Sequence, residues 1–87
     1  MRPRARAVLY TKADCGLCEK MKAEMAKAGC DDLYNLEEVD IEADADLFAR
    51  YRYDIPVLSI NGVEAFRHRL LAEEFRLYIT SLSSEDA

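Results

Sequence analysis

A short apolar run, Ala7-Val8-Leu9-Tyr10, is followed by a turn and then by Cys15-Gly16-Leu17-Cys18, and this succession limits the fold more than any other feature of the chain. The two thiols stand one helical turn apart, after a strand-like segment and at the start of an amphipathic one. A strand must therefore lead directly into the N-terminus of a helix, with Cys15 at the joint. Free backbone N–H groups and the helix dipole favour negative charge at such an end. An ordinary thiol has a pKa of about 8.5, and a helix end worth up to about 2 kcal/mol brings Cys15 near neutrality. Cys18 is then within reach to resolve a mixed disulfide. Lys12 pushes the same way, while the carboxylates of Asp14 and Glu19 oppose the thiolate if they face it.

Size and charge narrow the setting. With 87 residues, 51% hydrophobic and 33% charged, the chain reads as one domain spanning 1–87, with its core over about 6–82. No apolar run approaches the roughly 20 residues of a membrane helix, and the N-terminal residues lack the apolar stretch of a secretory signal, so a cytoplasmic protein is expected. The net charge of -5, from 17 acidic and 12 basic residues, argues against nucleic acid or anionic membranes as partners. Arg2, Arg4 and Arg6 form a local exception and read as a solvated terminus. Three cysteines cannot close into a disulfide framework, which fits a reducing compartment, and Cys30 after Gly29 reads as an apolar filler.

The elements follow from periodicity. Residues 6–11 predict a central strand, and Leu17, Met21, Met25 and Ala28 predict one face of a helix that Asp14 caps and Gly29 ends. Residues 34–41 fit a second strand, and Leu47, Phe48 and Tyr51 a short helix over 44–52. Val57-Leu58-Ser59-Ile60 and Val63-Glu64-Ala65-Phe66-Arg67 flank Asn61-Gly62, a pair suited to a two-residue hairpin turn. Leu71, Phe75, Tyr78, Ile79 and Leu82 return to helical spacing, and 83–87 is a polar tail. The order β-α-β-α-β-β-α implies an α/β domain, a four-stranded mixed sheet with helices on both faces.

Tyr10-Thr11-Lys12-Ala13-Asp14-Cys15-Gly16-Leu17-Cys18 at the front, with Asp54-Ile55-Pro56-Val57 ahead of the hairpin, resembles the thioredoxin superfamily and, within it, glutaredoxins and glutaredoxin-like proteins. The resemblance implies a thioredoxin fold and a thiol-disulfide oxidoreductase, with Cys15 as nucleophile and Cys18 as resolving thiol. It also implies a cis Ile55–Pro56 bond beside the sulfurs, with the backbone at Ile55 binding an extended peptide or glutathione. Lys12 matches the basic residue that glutaredoxins place near the thiolate. Gly16 and Leu17 are further candidate substrate contacts. The chain departs from the glutaredoxin pattern at Gly16-Leu17, where a Pro-Tyr pair is usual, and at Asp54, where a threonine is usual. It departs again at Phe66-Arg67-His68-Arg69-Leu70, which replaces a Gly-Gly and a helix-capping polar-Asp pair.

A disulfide-containing protein or glutathione is the expected substrate, with glutathione a candidate co-substrate and no cofactor bound, and a monomer is expected. Arg67, His68 and Arg69 form a cationic cluster near the mouth of the site, and Arg67 and Arg69 are candidates to hold an anionic group. Tyr53, three residues before Pro56, is a candidate for the groove wall. The reading from another class is a noncatalytic binding module, or a metal or iron-sulfur carrier using the same cysteines. One Cys-x-x-Cys supplies half of a four-thiolate site, and neither Cys30 nor His68 completes it at a standard spacing.

Overall fold

In a computed structural model, which describes residues 4–84, the chain runs β1 (Ala5–Thr11), α1 (Gly16–Lys27), β2 (Tyr34–Asp40), α2 (Ala45–Tyr51), β3 (Val57–Ile60), β4 (Val63–Arg67) and α3 (Ala72–Ser84). Arg2 and residues 85–87 lie outside the described residues, and Ser83 and Ser84, expected in the polar tail, belong instead to the last turn of α3. The sheet order is β2-β1-β3-β4, with β1 and β2 parallel and the remaining pairs antiparallel. This is the expected mixed sheet with β1 inside it. Alternation explains that place: Ala5, Ala7 and Leu9 are buried on one face, while Tyr10 turns to the other.

Each face carries its own apolar cluster. Leu9, Leu58 and Ile60 meet Met21 and Met25 of α1 and Phe75 and Ile79 of α3. On the opposite face, Val57 and Tyr10 meet Leu47, Phe48 and Tyr51 of α2. Neighbouring residues Val57 and Leu58 thus serve different clusters, as the strand's two-residue period requires. Strand β2 lies at the sheet edge and is mostly exposed, which accounts for its charged Glu37 and Glu38 and its imperfect alternation. Arg4 and Arg6 reach its side chains, Arg4 donating to Asn35 and Arg6 pairing with Glu37.

Several expectations need correction. Asp14 does not cap α1: it adopts a left-handed conformation with φ 58°, and Cys15 takes the cap position. Ile41 does not extend β2. It begins a 3-10 turn over Ile41–Ala43, in which the Asp40 carboxylate accepts the Glu42 N–H. Leu17 and Leu71 are exposed, at 46% and 58%, although their spacing matches the core faces of α1 and α3. Both border an open groove between α1 and the segment before α3, where no element covers them.

Helices α1 and α3 run in the same direction and are tied at two levels. Glu24 accepts the Ala72 N–H at 3.0 Å, and Arg76 donates to the Ala28 carbonyl at 3.0 Å, four residues further along each helix. Gly29, with φ +69°, ends α1 in the left-handed conformation that glycine adopts without a Cβ clash.

The hairpin turn has positive φ at both central residues, 51° at Asn61 and 86° at Gly62. Asn61 also closes the sheet onto β1: its side-chain oxygen accepts the Arg6 N–H, and its own N–H donates to the Arg6 carbonyl, both at 2.9 Å. Asn61→Ala removes one of these bonds and places a poor left-handed residue in the turn. It should lower unfolding free energy by about 1–2 kcal/mol, seen as a reduced urea midpoint at constant slope.

Candidate active site

The site forms where β1 hands over to α1. Cys15 caps the helix with extended backbone angles, φ -103° and ψ 103°, and its Sγ accepts the Cys18 N–H at 3.2 Å. A sulfur thus occupies the place where a serine or aspartate oxygen would normally receive an orphan helix N–H. Cys15 and Cys18 are paired as a disulfide with their Cα atoms 5.3 Å apart. The two sulfurs differ in setting: Cys15 is half-buried, whereas Cys18 is 1% exposed and packed with Ile41, Tyr51, Ile55 and Val57.

Lys12, Asp14, Gly16 and Glu19 surround Cys15 in one open depression. Glu19 is drawn toward Lys22, 2.8 Å away, and Lys22 also reaches Glu38 of β2. These two carboxylates raise the Lys22 pKa. Gly16 is the first residue of α1, and a Cβ built there meets nothing within 4 Å.

The Ile55–Pro56 peptide bond is cis, and both residues are buried. Ile55 shares the apolar cluster of Cys18, and the Pro56 carbonyl accepts the His68 N–H at 2.8 Å. The strand end that carries His68 and Arg69 is thereby fixed against the proline segment. Leu17 and Arg69 lie in the groove beside the site, next to the Cys15 depression. Tyr53 is 77% exposed, with the Arg52 guanidinium over its ring.

Arg67, a candidate for holding an external anion, is already committed to two carboxylates. It lies 2.5 Å from Glu64 and 3.1 Å from Asp54. Glu64 also accepts the Tyr51 hydroxyl at 2.7 Å, and Tyr51 stacks on Tyr10 with ring centroids 4.5 Å apart. A register shift between Leu58 and Ser59 makes this network possible. In a regular strand, residues three apart face opposite ways, but the bulge sets Glu64 opposite Ser59 and Arg67 opposite Val57, on one face. Asp54, two residues before Pro56, is therefore anchored to β4 through Arg67.

Sequence reasoning missed Glu24, Glu64 and Tyr51 as partners. The one available signal for Glu24 was a gap: Leu70-Leu71-Ala72 offers no Ser, Thr, Asp or Asn to cap α3. The cap comes instead from 48 positions away. Cys30 is a free, buried thiol in the α1–α3 cluster, and burial pushes its pKa up. Among the described residues, no three His, Cys, Asp or Glu side chains lie together in a way that could hold a metal ion, and no helix is long and apolar enough to cross a membrane.

The Glu64 network has a pH signature. The Tyr51 hydroxyl and the Arg67 guanidinium hold the Glu64 carboxyl below its ordinary range. The unfolded chain then binds the proton more readily, so the stabilisation is present above about pH 4.3 and is lost as pH falls further. Glu64→Gln should lower the urea midpoint at neutral pH. Its gap to the wild type should shrink steadily below about pH 4.3, and a gap unchanged by acid would contradict the assignment.

Comparison with known proteins agrees with this geometry. Protein XcR50 from X. campestris matches with a TM-score of 0.73 and 25% identity, over 86% of this chain and 96% of its own. Chloroplastic thioredoxin z matches with a TM-score of 0.71 and 18% identity, over 95% of this chain and 81% of its own. Fasciola hepatica thioredoxin matches with a TM-score of 0.56 and 22% identity, over 90% of this chain and 80% of its own. The fold is the thioredoxin fold, and a cysteine pair at this spacing on it supports a redox-type role. The family model of the glutaredoxin-like domain (DUF836) matches residues 6–80, and the chain belongs to that family.

Proposed function

We propose that this protein is a monomeric cytoplasmic thiol-disulfide oxidoreductase that reduces protein disulfides through Cys15 and Cys18. The observation that carries the reading is the Cys15 sulfur at the positive end of α1, receiving the Cys18 N–H, with Cys18 in disulfide contact. Both interactions favour the thiolate of Cys15 in the reduced protein, and the thiolate is the attacking species. Cys18 is buried and Cys15 reaches the surface, so Cys15 is the sulfur that meets the substrate.

The Cys15 thiolate attacks one sulfur of the substrate disulfide, forming a mixed disulfide and releasing the other sulfur as a thiolate. Cys18 then gives up its proton and attacks the Cys15 sulfur. The Cys15–Cys18 bond forms, the mixed disulfide breaks, and the substrate leaves with both sulfurs reduced. Two electrons have passed to the substrate, and two thiols of glutathione or of a reductase protein return them.

Glutathione as that reductant needs contacts of its own on this chain. The N-terminus of α3 already holds the Glu24 carboxylate, and Arg67 already holds Glu64 and Asp54. Lys12, in the Cys15 depression, is the cation we assign to one of its carboxylates.

Hydroxyethyl disulfide reduction with glutathione, run beside insulin reduction, tests catalysis and reductant together. Cys15→Ser should drop both to the uncatalysed rate. Cys18→Ser should keep part of the activity and accumulate a mixed disulfide visible by mass spectrometry. Full activity in Cys15→Ser would overturn the reading, and bound zinc or iron-sulfur absorbance in purified protein would favour the carrier function instead.

A further inference from the structure

The groove that exposes Leu17 and Leu71 runs along α1 from the cysteine pair, between that helix and the segment 68–71. Its volume of about 460 Å³ lies within the range of ligand-binding pockets, about 300–1,000 Å³. Its floor is apolar, with Met21 and Leu70 buried beneath the exposed leucines. Its rim is cationic: Lys20, Lys27 and Arg69 stand against a single carboxylate, Glu24.

Two of these cations are left without an internal partner among the described residues. Lys22, Arg6 and Arg67 each lie within 4 Å of a carboxylate, as does Lys27 beside Glu24. Lys20 and Arg69 have no ion-pair partner among the described residues. Glu24 is spent on the Ala72 N–H and on Lys27, 3.8 Å away. A positive surface is thus left open on a chain whose net charge is -5. It also begins at Leu17, between the two cysteines, so a chain lying in it is led to Cys15.

We infer that this groove docks an acidic segment of the protein whose disulfide is reduced, an inference that rests on the function proposed above. An apolar side chain of the partner sits on Leu17 and Leu71, and flanking carboxylates meet Lys20, Arg69 and Lys27. The rest of this acidic chain repels such a partner, so the local attraction selects both the partner and its orientation. A neutral segment gains the apolar contact alone.

The test uses matched synthetic peptides, a leucine flanked by aspartates or by asparagines, each carrying one cysteine. Disulfide-linked peptide dimers report turnover by the reduced protein, and versions with serine in place of cysteine report binding to the oxidised protein by NMR titration. The acidic peptide should be turned over with kcat/KM about tenfold higher than the neutral one at low salt, the scale of electrostatic steering. The preference should vanish near 1 M salt, where screening acts within about 3 Å. It should reverse in the folded Lys20→Glu, Arg69→Glu double variant. The serine version of the acidic peptide should shift the resonances of Leu17, Lys20, Arg69 and Leu71.

Measurable but equal turnover of acidic and neutral peptides, or a preference that survives the double charge reversal, would overturn the inference. So would oxidised glutathione shifting the same resonances as strongly as the acidic peptide does. If the acidic peptide binds in the groove and neither dimer is reduced, the docking surface stands and the redox reading falls.

Discussion

The site depends on which residue begins α1. Cys15, and not Asp14, occupies the cap position, and Asp14 before it is left-handed. A carboxylate at the cap would satisfy the first N–H groups with its own charge and leave the sulfur one step inside the helix. With the sulfur there, its negative form is the one that the helix end and the Cys18 N–H both stabilise. One turn later Cys18 sits under Tyr51, Ile55 and Val57, away from water. Position alone gives the two sulfurs of one short motif different surroundings.

Two carboxylate contacts near this site join distant parts of the chain. Glu24 caps α3 from two turns inside α1, which locks the two parallel helices at a fixed offset. Arg67 fastens Asp54 to β4 and so holds the segment that leads into Pro56. The α3 N-terminus in the first case and the Arg67 guanidinium in the second are thereby occupied from within the chain and are not open to an outside anion. Lys12, Lys20 and Arg69, which have no ion-pair partner among the described residues, lie around Cys15 or along the adjoining groove. The proposed docking of an acidic partner uses these cations.

The parts of this structure legible in the sequence are those set by local chemistry. The apolar run before Cys15, the Asn61-Gly62 turn and Gly29 each have a short-range cause, and each appears where that cause puts it. With the periodicities over 34–41, 44–52 and 71–82 they give the order of elements, and the Cys15-to-Cys18 and Ile55-Pro56 motifs carry its resemblance to thioredoxins. What escaped was set by distant partners. Leu17 and Leu71 match helical core spacing, yet they border a groove because no element among the described residues reaches over them. The bulge in β4 changes which face Glu64 and Arg67 share, and no local signal announces it. Arg67 therefore read as a free cation, although it is the centre of an ion-pair network. Asp14 had the right residue type for a cap, and the turn geometry overrode it.

The central claim is that reduced Cys15 ionises readily because of where the helix begins. The most direct measurement is the rate of iodoacetamide alkylation of Cys15 against pH, with the modified residue identified by mass spectrometry. The account predicts a rate that rises and levels off near neutrality, well below the ordinary thiol value of about 8.5. A rate still climbing through pH 8 in the manner of a free cysteine would contradict it.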